Sequence, residues 1–111
     1  MNPKDVADRY VAAMRAQNVD DLMALYAEDA TFVLPNGREF HGIVAIRAMH
    51  EGVLKTAAPR PTPRAMVVGD AAIAVEIEAQ MPDGNSRRTA NFYHLDSQGR
   101  IQRLSVYMQS A

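Results

Sequence analysis

The 111 residues have room for one core, and a 48% hydrophobic and 23% charged composition is that of a folded globule rather than a disordered chain. Twelve Lys and Arg against thirteen Asp and Glu leave a net charge of −1, which removes the cationic footprint that a nucleic-acid binder needs. Cysteine is absent, excluding disulfides, thiolate zinc sites and Cys nucleophiles. No apolar run approaches a membrane span or a signal-peptide core, and Lys4, Asp5, Asp8 and Arg9 interrupt the start, so a cytoplasmic protein with no membrane partner is expected.

In chain order, Asn2 can cap a first helix with Pro3 at its first position and Asp5 near its positive end. Val6, Tyr10, Ala13 and Met14 then fall on one face. Asn18 followed by Asp21 predicts a second N-cap, with Leu22, Leu25 and Tyr26 as the stripe of a short helix. Thr31 to Leu34 is β-prone and closes on the turn signal Pro35-Asn36-Gly37. After Gly42 the helical period returns, with Ile43, Ile46, His50, Val53 and Leu54 on one side. Pro59, Pro61 and Pro63 forbid helix and give an extended lead-in. Strands are expected over Arg64 to Val68, Ala71 to Gln80, Arg87 to Leu95 and Ile101 to Met108, joined by hairpin connections.

Helices followed by an antiparallel meander make an α+β plan in one domain over residues 1–111. Alternation puts Val75, Ile77 and Ala79 on one face, with Glu76 and Glu78 on the other. Asn91, Tyr93 and Leu95 oppose Arg88, Phe92 and His94, while Leu104, Val106 and Met108 oppose Arg103, Ser105 and Tyr107. The apolar face should meet the helices. The second face mixes charges with aromatic rings and suits a polar dimer surface.

Arg9-Tyr10-Val11-Ala12-Ala13, Asp21-Leu22, Leu25-Tyr26-Ala27-Glu28-Asp29-Ala30-Thr31, Pro35, Gly42 and Gly99-Arg100-Ile101 resemble the ketosteroid isomerases. These belong to the nuclear transport factor 2-like (NTF2-like) superfamily, which also holds the SnoaL-like polyketide cyclases, and the resemblance runs nearly end to end. It implies a cystatin-like cone, in which three helices pack on a curved, mixed, mostly antiparallel sheet around an apolar pocket, as a homodimer joined through the outer sheet face. Carried over by position, it makes Tyr10 a donor to a substrate's enolate oxygen. Asn91 stands where those enzymes keep a protonated carboxylic acid as second donor. Their general base, an Asp before a Pro, is here Leu34 before Pro35. An amide donates without a shifted pKa, so an oxyanion hole survives, but Leu34 cannot move a proton.

Each candidate also has a plain structural reading. Tyr10 can be a helix-stripe residue whose hydroxyl a neighbour satisfies, and Asn91 can satisfy a backbone group. His50 can be a buried neutral partner of Tyr10 or the replacement base. Phe32, Leu34, Val75, Ile77, Tyr93, Leu104, Val106 and Met108 are expected as the apolar pocket wall. Glu39 and His41 flank Phe40 near the pocket mouth, but no third ligand can be nominated, so no metal site is expected. Arg87-Arg88 is read as solvent or dimer rim. Gly-rich phosphate loops are missing, so no nucleotide cofactor is expected. The seven Met residues read as gap-fillers of a core or an adaptable pocket wall. The expected partner is a small hydrophobic molecule bearing a carbonyl. The protein would be an isomerase-like or cyclase-like enzyme of very weak ordinary activity. The alternatives are a non-catalytic hydrophobic-ligand binder and a dimeric interaction module.

Overall fold

The computed structural model of the protein describes residues 1–109. Helix α1 spans Pro3–Ala16, with the Asn2 side chain accepting from the Asp5 N–H at 2.9 Å. Its buried stripe includes Val6, Tyr10 and Ala13, as the period requires. Helix α2 spans Val19–Met23, capped by the Asn18 side chain on the Asp21 N–H. It is shorter than the expected stripe. Leu25 lies past its end, and Tyr26 opens strand β1, Tyr26–Val33. The competing force is tertiary: the Ile101 N–H donates to the Leu25 carbonyl at 2.8 Å and Tyr26 registers opposite Ile101. Strand pairing with a distant segment thus overrides the local helical pattern. A register break between Tyr26 and Thr31 leaves Glu28 and Asp29 both exposed, so this half of β1 carries no alternation to read.

A turn with Gly37 at φ +88° leads into β2, Glu39–His41, a short strand the sequence pattern does not announce. Gly42, at φ +86°, turns the chain into α3, Ile43–Thr56. Ile46, His50 and Leu54 face inward, one helical turn apart, while Arg47 and Glu51 pair on the outer side. Strand β3 runs Arg60–Val68, four residues earlier than its expected start at Arg64. Pro61 and Pro63 are tolerated because β3 is an edge strand, where a missing N–H costs no ladder bond. The Arg15 guanidinium, from the last turn of α1, donates to the Pro61 carbonyl at 2.8 Å and ties that edge to the helix.

Strands β4 (Ala72–Gln80), β5 (Ser86–Leu95) and β6 (Ile101–Met108) follow the sequence expectation to within one residue. The sheet order is β2-β1-β6-β5-β4-β3. All neighbours are antiparallel except β1 and β6. The fold is therefore α+β, a curved, mixed, mostly antiparallel sheet with helices on its concave side. Val6, Ile46, Ile73, Val75, Tyr93, Ile101 and Leu104 form the fully buried centre between the two layers. No helix among the described residues is long and apolar enough to cross a membrane.

Candidate functional site

A cavity of about 310 Å³ opens between α1, α3 and the concave face of the sheet. Tyr10, His50 and Asn91, distant in sequence, all line it. Phe32, Leu34, Ile77, Val106 and Met108 also stand in its wall. Val75, Tyr93 and Leu104 do not line it, which corrects their placement in the wall. All three are fully buried beneath its closed end. Strand alternation gives the face of the sheet but not the depth, and the concave face narrows until side chains fill it. Met14, Met49, Met81 and Met108 complete much of the wall with flexible, polarisable surface.

At the closed end three polar side chains meet. His50 Nδ1 lies 2.9 Å from the Ile46 carbonyl one turn earlier. A carbonyl only accepts, so Nδ1 carries the proton and Nε2 presents its lone pair. The Tyr10 hydroxyl, 2.7 Å from Nε2, donates to it. The Tyr26 hydroxyl donates to the Tyr10 oxygen at 3.3 Å and lies the same distance from Nε2. Sequence reasoning misses Tyr26, because its spacing from Leu22 and Leu25 fits a helical stripe. Its place at the start of β1 depends on pairing with β6, which no local signal reveals. Burial pushes the Tyr10 and Tyr26 phenols up and the His50 imidazole down, so all three are neutral near pH 7.

The two hydroxyls compete for one imidazole lone pair. When Tyr10 turns its proton to a ligand oxygen, Tyr26 is already within reach of Nε2. The cluster can therefore release a buried donor without leaving His50 unsatisfied. Tyr10 faces the cavity and Tyr26 lies behind it.

Asn91 projects from β5, with its amide donating to the Tyr93 hydroxyl at 3.3 Å. Thr89 donates to the Asn91 carbonyl oxygen at 3.4 Å. Burial raises the Tyr93 phenol as well, so it too is a neutral group. Arg87, expected at a solvent or dimer rim, is exposed and also lines the cavity where it meets solvent. The signal was present: counting back two and four residues from Asn91 puts Thr89 and Arg87 on the same face. Among the described lining residues there is no carboxylate. Leu34, in the turn after β1, holds the position where the resemblance places a base, and is half-buried.

Glu39 and His41 share the exposed side of β2, 3.5 Å apart, and His41 also lies 3.2 Å from the Thr31 hydroxyl. Among the described residues no group of three or more potential ligands could hold a metal ion. On the outer face of the sheet, Phe92 stacks on His94 and meets the Tyr107 ring edge-on. Glu78 pairs there with both Arg64 and Arg88.

The model of the SnoaL-like domain family matches residues 7–104. An NTF2-like protein from Cytophaga hutchinsonii is 20% identical, with a TM-score of 0.81 over 96% of this chain and 88% of that one. A protein from Sinorhizobium meliloti, provisionally named a polyketide cyclase, is 23% identical, with a TM-score of 0.83 over 92% and 93%. A protein from Catenulispora acidiphila with a ketosteroid isomerase-like fold, in complex with trimethylamine, is 16% identical, with a TM-score of 0.84 over 95% and 85%. Likeness at these identities is a likeness of fold, and it agrees with the cone described above.

Proposed function

The chain belongs to the SnoaL-like domain family, and on that premise we propose that its cavity binds an apolar, carbonyl-bearing small molecule. Tyr10 donates to the carbonyl oxygen and Asn91 supplies the second donor. The observation that carries this reading is the concentration of neutral donors at the closed end of a largely apolar chamber. In such a setting a preorganised donor acts on developing negative charge with little reorganisation.

Leu34 makes turnover the lesser part of the activity. A positioned general base is worth about 10²–10⁴-fold, and the one histidine among the described lining residues is His50, whose lone pair is already engaged. Binding of 2-naphthol, a phenol that mimics an enolate, is the direct test. Tyr10→Phe should weaken it about tenfold, the worth of one good hydrogen bond. No binding at saturating probe would remove the reading. Wild-type isomerisation of a β,γ-unsaturated cyclic ketone should stay near background, and Leu34→Asp should raise it by about 10²-fold. Wild-type activity at or above that of the variant would contradict the role given to Leu34.

The outer face of the sheet supports a homodimer. Phe92 is 41% and Tyr107 60% exposed, in contact with each other and flanked by the Arg64–Glu78–Arg88 pairs. Sedimentation should give a dimer for the wild type and a monomer for Phe92→Glu. A wild-type monomer at high concentration would overturn it.

A further inference from the structure

The inner face of β5 carries a polar stripe that the binding reading uses only in part. Tyr93, Asn91, Thr89 and Arg87 project from it in turn, from the buried floor to the mouth. The first three are joined by hydrogen bonds. Arg87 ends the row and is the one charged group among the described residues that line the chamber. Ala79 stands opposite it on β4, and Ile77 and Met108 flank the next inward position, Thr89. Among the described residues, none of these cross-strand neighbours is a carboxylate.

Arg88, its neighbour in sequence, behaves differently. It points to the outer face and shares Glu78 with Arg64, at 3.6 and 3.1 Å. Arg87 has no hydrogen bond or ion pair among the described residues. A guanidinium presents a planar fork of donors that matches a carboxylate in two parallel bonds. Set at the rim of an apolar chamber, it can take an anion while the rest of the ligand stays buried.

We propose that the ligand is an apolar acid: its carbonyl reaches Tyr10 and Asn91 at the closed end, and a carboxylate at its other end pairs with Arg87. This rests on the binding function proposed above and specifies the class of molecule. Arg87 lies four positions before Asn91, about 13 Å along β5, which the long Arg side chain can shorten. A fused bicyclic ring with a ketone and a carboxylate at opposite ends meets that span. The competing reading is a solvated arginine whose aliphatic stem covers the apolar rim. It predicts no preference for an anion.

The test compares 6-acetyl-2-naphthoate with its methyl ester, by calorimetry on the full chain. The acid should bind about tenfold tighter than the ester, as one partly exposed charge-assisted pair allows. Added salt should erode that preference and leave the ester unchanged. Arg87→Gln should abolish the preference without weakening the ester, and Arg87→Glu should reverse it. Equal binding of acid and ester by the wild type would overturn the inference and leave carbonyl binding standing. If the acid alone binds, and Tyr10→Phe does not weaken it, the anion site holds and the role of Tyr10 fails. If neither compound binds, both proposals fall.

Discussion

The two ends of the cavity solve opposite problems. At the closed end every polar atom is answered from within: Tyr10 by His50 and Tyr26, His50 by the Ile46 carbonyl, Tyr93 by Asn91. No buried side-chain nitrogen or oxygen among the described residues lacks a partner. At the mouth the Arg87 side chain meets solvent and has no partner among the described residues. The difference separates stability from recognition. Groups that satisfy one another hold the fold, and a ligand must displace one of their bonds to engage them. A group with no internal partner adds little to folding, so its interactions remain open to a ligand.

The sharpest way to break this contrast is at the floor. Tyr93 is wholly buried, packs edge-on against Tyr10 with ring centroids 5.4 Å apart, and bonds Asn91. Tyr93→Ala should cost about 3–5 kcal/mol in chemical denaturation, because it opens a void and strips the Asn91 amide N–H of its acceptor. A loss under about 1 kcal/mol would mean that the floor does not hold the fold together.

A smaller effect, read through pH, tests the cluster itself. Burial holds the folded His50 pKa below its ordinary 6.5, so the unfolded chain takes up a proton first as pH falls. Stability is then greater above pH 6.5 and declines as pH drops from there through the folded value. His50→Gln should lower stability at neutral pH and flatten the slope in that window. An unchanged slope in the variant would assign the pH dependence to other groups.

What the sequence shows and what it hides follow the same division. Caps at Asn2 and Asn18, the α3 stripe through Ile46, His50 and Leu54, and the alternation of β4 to β6 are local signals, and the structure follows them. Tyr10, His50 and Asn91 come together because helical and strand periods each fix a face. Three things lay beyond such signals. Tyr26 joins the cluster only through the parallel pairing of β1 with β6, set by residues some 75 positions away in Ile101. The prolines of β3 mark only an extended lead-in to a strand from Arg64, because edge position, which lets the strand start at Arg60, is a property of the sheet. Depth within the cone separates Val75, Tyr93 and Leu104 from the wall, although their faces were correctly placed. Arg87 was legible, but its pairing in sequence with Arg88 drew both toward solvent.

The smallest expected effect completes the contrast. Arg87→Gln keeps a polar, flexible side chain at the mouth and breaks no hydrogen bond or ion pair among the described residues. Its cost in chemical denaturation should stay within about 0.5 kcal/mol, the range of a surface substitution. The same variant is expected to lose the preference for an acid over its ester, so one substitution would alter recognition while sparing the fold. A loss of stability comparable to that of Tyr93→Ala would show that Arg87 is held by the protein's own contacts. The mouth would then be structural in the same sense as the floor, and an arginine already committed to the fold would have little left to offer a carboxylate.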